Sequence, residues 1–176
     1  MTAPLQPSAS LRPMVDGDLE FVLTWRNHPD VRRFMYTTHE ISFDEHARWF
    51  KAASADSSRH LLLLELAGLA LGYVNFRCDG AGGAVWGFYL APDAPKGRGR
   101  LLGDAATRHA FEALGLQTLR GEVLPANVAS RQFHLLLGFL PETAPQGEND
   151  SLADAPDVLR FVLTRSDWES HQEKRT

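Results

Sequence analysis

The sequence predicts an α/β (α+β) domain built around a mixed, mostly antiparallel sheet. Three consecutive apolar runs are separated only by short glycine-containing turns, at Ala67-Gly68 and between Asp79 and Gly83, which is typical of antiparallel neighbours. A fourth run follows the third after a helical pattern, so those two strands are expected to be parallel, in a right-handed crossover. With 176 residues, 44% of them hydrophobic and 23% charged, the chain has the length and composition of one well-packed domain.

Apolar runs and turn residues set the expected strands. Leu61 to Leu66 is an unbroken apolar run and therefore reads as a buried strand. The full set of expected strands is 11–15, 61–66, 69–77, 84–90, 118–124 and 158–164.

Four helices are expected from apolar spacing and from their end signals. The first carries Leu19, Val22 and Leu23 and must stop near Asn27, because His28 precedes a proline. The second opens at the capping box that begins at Ser42. The third ends at Gly115, and the fourth runs from Asn127 to Gly138. In the fourth helix the apolar face is expected to hold Ala129, Phe133, Leu136 and Leu137, with Asn127, Ser130 and His134 aligned on the opposite side.

Composition excludes several classes of function. A net charge of −4 and a pI of about 5.9 provide no general field for nucleic acid. The single cysteine, Cys78, excludes an intrachain disulfide framework and a cysteine-rich metal site, and no metal is expected. No stretch has the length of a membrane span and no secretion signal is recognisable, so a cytoplasmic protein without a membrane partner is expected. We expect a disordered lead-in over 1–10, one domain over 11–165 and a polar tail over 166–176.

The most informative stretch runs from Trp86 to Gly103. An aromatic run ends in a proline-punctuated loop, and a glycine- and arginine-rich turn from Lys96 to Arg100 then opens directly onto a helical pattern. Converging backbone N–H groups and the positive end of a helix dipole together favour a phosphate or pyrophosphate.

Three kinds of pyrophosphate site compete for this turn. The phosphate loop of nucleotide hydrolases needs Gly-x-x-x-x-Gly-Lys-Ser/Thr, which is absent. Gly97, Gly99 and Gly103 superficially fit a dinucleotide fold, with Glu122 at the distance of a ribose-binding acid. That fold fails on context, because antiparallel strands precede the turn and too little chain follows it. The remaining kind is a coenzyme A site.

Two motifs carry a resemblance to the GCN5-related N-acetyltransferase (GNAT) superfamily that spans Leu11 to Thr164. The pyrophosphate motif Gln/Arg-x-x-Gly-x-Gly/Ala is matched imperfectly, since Lys96 and Leu101 replace the usual residues, although the backbone donors survive. The second element, Asn-x-x-Ser-x-x-x-Tyr-x-x-x-Gly-Phe, is matched by residues Asn127, Ser130, His134, Gly138 and Phe139. The resemblance implies a GNAT fold of about six to seven strands and about four helices, with acetyl-CoA as the cosubstrate.

A basic segment suggests a second ligand. From Arg26 to Arg48 the chain holds four arginines and three histidines, interleaved with residues such as Met35 and Tyr36. Composition alone favours a solvated surface, whereas a pocket for an anion with a stackable base is the functional alternative. Strings such as Met35-Tyr36-Thr37-Thr38-His39-Glu40-Ile41-Ser42 also resemble, more narrowly, the enzymes that acetylate the 4-amino group of a UDP-linked 4-amino-4,6-dideoxy-N-acetyl-altrosamine on the way to pseudaminic acid. This resemblance implies substrate contacts from Arg26, Met35, Tyr36, His39, His46 and Trp86.

The resemblance also implies direct transfer in a ternary complex. Glu122 is the expected base, acting through water, while His134 stands where a tyrosine acid is usual and is either that acid or a bystander. The implied cofactor contacts are Phe88, Leu90, Lys96, Gly97, Arg98, Gly99, Arg100, Leu101, Asn127 and Ser130. A GNAT acting on a protein N-terminus or another small amine, a non-catalytic acetyl-CoA-binding domain, and a homodimer all stay open.

Overall fold

The computed structural model describes residues 9–142 and 157–175, and within them seven strands form one mixed sheet. The strands are β1 (Ser10–Pro13), β2 (Arg59–Leu66), β3 (Leu69–Cys78), β4 (Gly83–Leu90), β5 (Thr118–Val123), β6 (Leu140–Pro141) and β7 (Leu159–Thr164), in the spatial order β1-β2-β3-β4-β5-β7-β6. Only the β4–β5 pair is parallel, as predicted from the helix between them, and the other neighbouring pairs are antiparallel.

Six α-helices flank the sheet within the described residues, two more than expected. They are α1 (Leu19–Asn27), α2 (Pro29–Arg32), α3 (Phe43–Ala55), α4 (Arg98–Arg108), α5 (Val128–Leu136) and α6 (Arg165–Glu173). Helix α4 continues into a short π-helical turn over His109–Ala113. The described helices include none that is long and apolar enough to cross a membrane.

Strand β2 explains why its sequence is continuously apolar. Leu62 and Leu64 face a large core shared with α4, α5 and α6, whereas Leu61 and Leu63 face a second core under α1 and α3. Successive side chains of a strand point to opposite faces, so a strand buried on both faces needs apolar residues at every position.

The start of α3 confirms half of the predicted capping box. The Ser42 hydroxyl accepts a hydrogen bond from the Glu45 backbone N–H at 3.2 Å. The Glu45 carboxylate instead lies 3.1 Å from Nε2 of His39. The capping side chain of Glu45 is thus drawn to the loop before the helix.

Most of the segment 166–176, expected to be a polar tail, is a helix in the structure. Residues Arg165–Glu173 form α6, whose N-cap Thr164 accepts from the Asp167 backbone N–H at 3.1 Å. Trp168 is buried, with its ring centroid 5.2 Å from that of Phe111. Nearly all other positions of this helix are polar, so one buried aromatic was too weak a signal in the sequence.

Some sequence expectations fall partly outside the described residues. Residues 1–8 of the expected disordered lead-in lie there, as do residues 143–156, which precede the last expected strand in sequence. Ser10 already belongs to β1, so regular structure begins one residue before the predicted start of the domain.

Candidate active site

The sheet opens between its two parallel strands. The β4–β5 register runs from Gly83↔Thr118 to Trp86↔Gly121 and stops there, although β4 continues to Leu90. Beyond this point β4 still pairs with β3, and β5 with β7. In the part of the chain that the structure describes, the inner edge of residues 87–90 therefore has no strand partner and can offer backbone groups to an extended, amide-containing ligand, although the Gly87 carbonyl also accepts from Asn75 Nδ2 at 3.3 Å. Phe88 and Leu90, predicted to contact the cofactor, lie half-buried on this segment.

The glycine-rich turn lies one short loop after this edge. Gly97 has φ +85° and is the N-cap of α4, and a side chain there would meet open space rather than protein. The left-handed conformation suits glycine and leads the chain into α4, whose first turn has backbone N–H groups without intrahelical partners, although the Arg98 N–H donates to the Pro95 carbonyl at 3.3 Å. Arg98 adds a buried Nε atom that has no hydrogen-bond partner within the described structure. Together with Lys96 and Arg100, this turn has the donors and the charge that a diphosphate requires.

Glu122 lies at the mouth of the opening, one residue past Gly121, the last position of β5 that pairs with β4. Its Oε2 accepts a hydrogen bond from the Tyr36 hydroxyl at 3.0 Å, and Arg160 Nε lies 3.7 Å from Oε1. Desolvation and the neighbouring carboxylate raise the pKa of Tyr36 to about 12. At neutral pH the hydroxyl is therefore protonated and donates to the carboxylate. The structure thus brings together a predicted substrate residue and the predicted base, 86 positions apart in sequence.

His134 is on the buried side of α5, not on a polar stripe, and this corrects the sequence expectation. It is 2% exposed, Nδ1 lies 2.8 Å from the Ser130 carbonyl oxygen, and Nε2 accepts from Trp86 Nε1 at 3.2 Å. The carbonyl only accepts and the indole N–H only donates, so these partners assign the proton to Nδ1. Burial lowers the pKa of His134, and the ring is neutral at neutral pH. Neither nitrogen is left to protonate a thiolate.

The faces of α5 are rearranged accordingly. Leu136, predicted for the apolar face, is 52% exposed, and its neighbour Leu135 is 51% exposed. Phe133 and Leu137 pack into the core as predicted. Asn127 is the predicted N-cap, and its side-chain oxygen accepts from the Ser130 backbone N–H at 3.1 Å.

Trp86, expected as a substrate contact, lies in the core. It is 4% exposed and stacks on Phe139 at a centroid distance of 5.6 Å. Gly121 completes this packing, because a Cβ at that position would lie 2.7 Å from Cδ2 of His134. Glycine is thus required where β5 passes under the imidazole ring.

The basic segment contributes a second cluster of polar groups, formed by Arg26 of α1 and His46 of α3, which we call the basic pocket. Arg26 donates from Nη2 to the Thr37 carbonyl at 3.0 Å, while its Nη1 is buried without a partner within the described residues. His46 is 4% exposed, and its Nε2 likewise has no described partner. Burial, reinforced by the charge of Arg26, lowers the pKa of His46. Burial also lowers the pKa of Arg26, with Tyr89 acting in the opposite direction.

The other predicted substrate residues near this pocket differ in their exposure to solvent. Met35 is half-buried in the loop that follows α2, and Tyr36 is 59% exposed. His39 is exposed and paired with Glu45, which places it on the outer rim. Sequence reasoning missed Arg160 beside Glu122 and Tyr89 beside Arg26. Tyr89 follows Phe88 directly in β4 and therefore faces the side opposite to Trp86 and Phe88, which was the available signal for it, whereas Arg160 depends on the β5–β7 register.

Comparison with known proteins places this architecture in a family. A model of the acetyltransferase (GNAT) domain matches residues 9–140, so the chain belongs to the GNAT acetyltransferases. It is an N-acetyltransferase whose cosubstrate is acetyl-CoA, and the predicted fold, enzyme class and cosubstrate are confirmed.

Individual proteins resemble this chain in sequence or in fold. The acetyltransferase PseH of Campylobacter jejuni is 34% identical over 110 residues, which are 62% of this chain and 69% of that protein. Its crystal structure superposes with a TM-score of 0.69 at 22% identity and covers 90% of this chain and 99% of its own. A spermidine N-acetyltransferase from Vibrio cholerae, in complex with CoA and spermine, gives a TM-score of 0.78 at 23% identity, covering 92% and 98%. At these identities the structural likenesses show the shared fold alone.

Proposed function

We propose that the chain transfers the acetyl group of acetyl-CoA to the 4-amino group of a UDP-linked amino-dideoxy sugar, directly and in a ternary complex. The observation that carries this proposal is the buried pair of unpartnered nitrogens, Arg26 Nη1 and His46 Nε2. A buried N–H group without an acceptor is costly, and a diphosphate supplies several strong acceptors at once. The resemblance of the N-terminal third and the identity to PseH support a nucleotide sugar as the source of that diphosphate.

One loop links this pocket to the reaction centre. Thr37 accepts from Arg26, and the adjacent Tyr36 donates to Glu122. A sugar whose diphosphate is held by Arg26 and His46 would therefore extend past Tyr36 toward the opening of the sheet. Met35 and Tyr36 provide apolar and aromatic surface for the sugar along this path.

The cosubstrate is proposed to lie along the opposite wall of the opening. Acetyl-CoA supplies an acetyl thioester when bound. The free edge of residues 87–90 would hold its extended arm by backbone hydrogen bonds, with Phe88 and Leu90 beside it. The turn from Lys96 to Leu101 would hold its diphosphate, and Asn127 and Ser130 in the first turn of α5 would line the same side.

The residues at the opening divide the chemical work. We assign Glu122 as the base that takes a proton from the sugar ammonium, through water, so that the free amine attacks the thioester carbonyl. A backbone N–H between Phe88 and Leu90 stabilises the oxygen that becomes negative. His134 has no proton directed to the opening and holds α5 against β4 instead. A thiol with a pKa of about 8.5 is a modest leaving group that can take its proton from solvent.

A polyamine acceptor fits this pocket poorly. Arg26 places a positive charge inside it, and this charge would repel a polycationic acceptor such as spermidine. The charge of the pocket therefore favours an anionic acceptor over spermidine or a basic peptide.

The test measures CoA release with a UDP-4-amino-sugar, with spermidine and with a peptide amine, on the wild type and on pocket variants. Arg26→Lys and His46→Gln should raise KM for the UDP-sugar about tenfold, with KM for acetyl-CoA unchanged. Arg33→Ala is the matched control, because Arg33 is an exposed arginine of the same segment that pairs with Asp30 at 3.5 Å. Turnover of spermidine without turnover of the UDP-sugar would falsify the proposal.

A further inference from the structure

The C-terminal part of the chain reaches back to the glycine-rich turn through one carboxylate. Arg175, just beyond α6, donates from Nη1 to Asp104 Oδ1 at 2.9 Å and from Nη2 to Oδ2 at 3.0 Å. Arg100 Nε also donates to Asp104 Oδ2, at 3.3 Å. Asp104 is therefore shared by two guanidinium groups, one of them in a bidentate pair.

The position of this triad relates it to the cofactor. Arg100 is the third residue of α4 and belongs to the turn proposed to hold the diphosphate, and Asp104 follows one helical turn later. A carboxylate one helical turn from the proposed diphosphate position repels the diphosphate. The carboxylate also competes with the diphosphate for the Arg100 guanidinium. Burial acts to raise the pKa of Asp104, but Arg175 and Arg100 outweigh it, so the pKa stays below its usual range and the group is ionised at neutral pH.

We propose that Arg175 is a positioning residue for acetyl-CoA: it neutralises Asp104, to which Arg100 donates from Nε, so that the terminal nitrogens of Arg100 can serve the diphosphate. This inference rests on the proposed placement of the diphosphate at the 96–101 turn. The bidentate pair holds both terminal nitrogens of Arg175 against Asp104, so the charge of Arg175 acts on this carboxylate. With Arg175 present the triad has a net charge of +1, and without it the Arg100–Asp104 pair is neutral.

The experiment measures CoA affinity by calorimetry, and KM values by steady-state kinetics, on the full chain. Arg175→Ala should weaken CoA binding and raise KM for acetyl-CoA about fivefold, an effect that shrinks at high salt. The turnover number and KM for the acceptor amine should not change. Lys174→Ala is the matched control, since it removes the same charge from the adjacent residue and should leave CoA affinity as it is.

The decisive variant is the double substitution Asp104→Asn/Arg175→Ala. Removal of the carboxylate should restore CoA affinity to the wild-type level, because the repulsion that Arg175 counters has gone. An unrestored double variant would overturn the proposal and indicate that Arg175 touches the cofactor or serves only folding. An Arg175→Ala variant with unchanged CoA affinity would overturn it as well.

Binding of CoA requires no acceptor, so this test is independent of the choice of sugar. Arg100→Ala reports separately on the placement of the diphosphate. If that variant binds CoA as tightly as the wild type, the diphosphate is not held at this turn, and the proposed site fails whatever the behaviour of Arg175.

Discussion

The indole N–H of Trp86 donates to Nε2 of His134 at 3.2 Å, and this contact joins β4 to α5 at the point where the sheet opens. The two residues are 48 positions apart, and the ring of His134 packs among aromatic side chains of β4, β7 and the chain after α5. The opening between β4 and β5 is therefore bounded by a rigid hydrogen-bonded pair. We regard this pair as the structural support for the opening.

The buried, neutral state of His134 predicts acid sensitivity of the fold. Burial holds its pKa below the ordinary value of 6.5, so the folded chain binds fewer protons than the unfolded chain once the pH falls below about 6.5. Stability is full above that pH and declines as the pH falls toward the lower folded pKa. One such proton corresponds to a slope of at most about 1.4 kcal/mol per pH unit.

This dependence is measured by urea unfolding at pH 7.5 and pH 5.5. His134→Phe removes the titrating group and should lose less stability between the two pH values than the wild type. His46 and His109, whose pKa values burial also lowers, remain in the variant, so a reduced dependence is expected rather than none. An identical pH dependence in both proteins would contradict a neutral, buried His134.

Gly121 should be the most restrictive position under the imidazole. Gly121→Ala introduces a methyl group 2.7 Å from Cδ2 of His134 and 3.0 Å from Nε1 of Trp86. We expect a loss of about 2 to 3 kcal/mol in the free energy of unfolding. Because the methyl group clashes with His134, the double variant Gly121→Ala/His134→Ala should lose less than the sum of the single losses. Strict additivity in a double-mutant cycle would show that the two residues are not coupled.

The sequence predicted those features that depend on local patterns. The apolar run of β2, the cap residues Ser42 and Asn127, and the parallel β4–β5 pair each follow from neighbours in the chain. His134 was misplaced because α5 has large apolar residues on both sides, and spacing alone does not say which side meets the sheet. Its burial depends on Trp86, a partner that local spacing does not reveal.

The same distinction applies to the candidate site. The glycine-rich turn was recognisable because its chemistry is local, and the basic segment because its charges are concentrated. The hydrogen bond from Tyr36 to Glu122 and the pairing of Arg175 with Asp104 join residues 86 and 71 positions apart. Contacts of this kind arise from the packed fold, so single-sequence reasoning names such residues without pairing them.

A substitution in helix α6 tests whether the C-terminal residues pack against the domain. Trp168 is 7% exposed and packs on Phe111, so Trp168→Ala should destabilise the fold by about 3 to 5 kcal/mol. A residue in a frayed tail would have almost no effect. Glu169→Ala is the control, since its side chain is 56% exposed and its pairing with Arg165 spans 3.7 Å. The control should change the unfolding free energy by less than about 0.5 kcal/mol in urea titrations.

Glu122 and Tyr36 allow the proposed base to be separated from its positioning partner. Glu122→Gln keeps the size of the side chain but removes the proton acceptor, and it should lower kcat about 100-fold at neutral pH. Tyr36→Phe removes the 3.0 Å hydrogen bond while leaving the carboxylate, and a loss of about fivefold in kcat is expected. KM for acetyl-CoA should be unchanged in both variants, because neither side chain borders the glycine-rich turn.

The matched control for these variants is Glu142→Gln. Glu142 lies 3.2 Å from Arg120, a residue of the same strand as Glu122, and its loss removes an equal charge. The pH dependence of kcat/KM separates the roles: the acidic limb should vanish in Glu122→Gln and persist in Tyr36→Phe, because only the first variant removes the proposed proton acceptor. If Glu122→Gln retained the acidic limb, another group would have to supply the base.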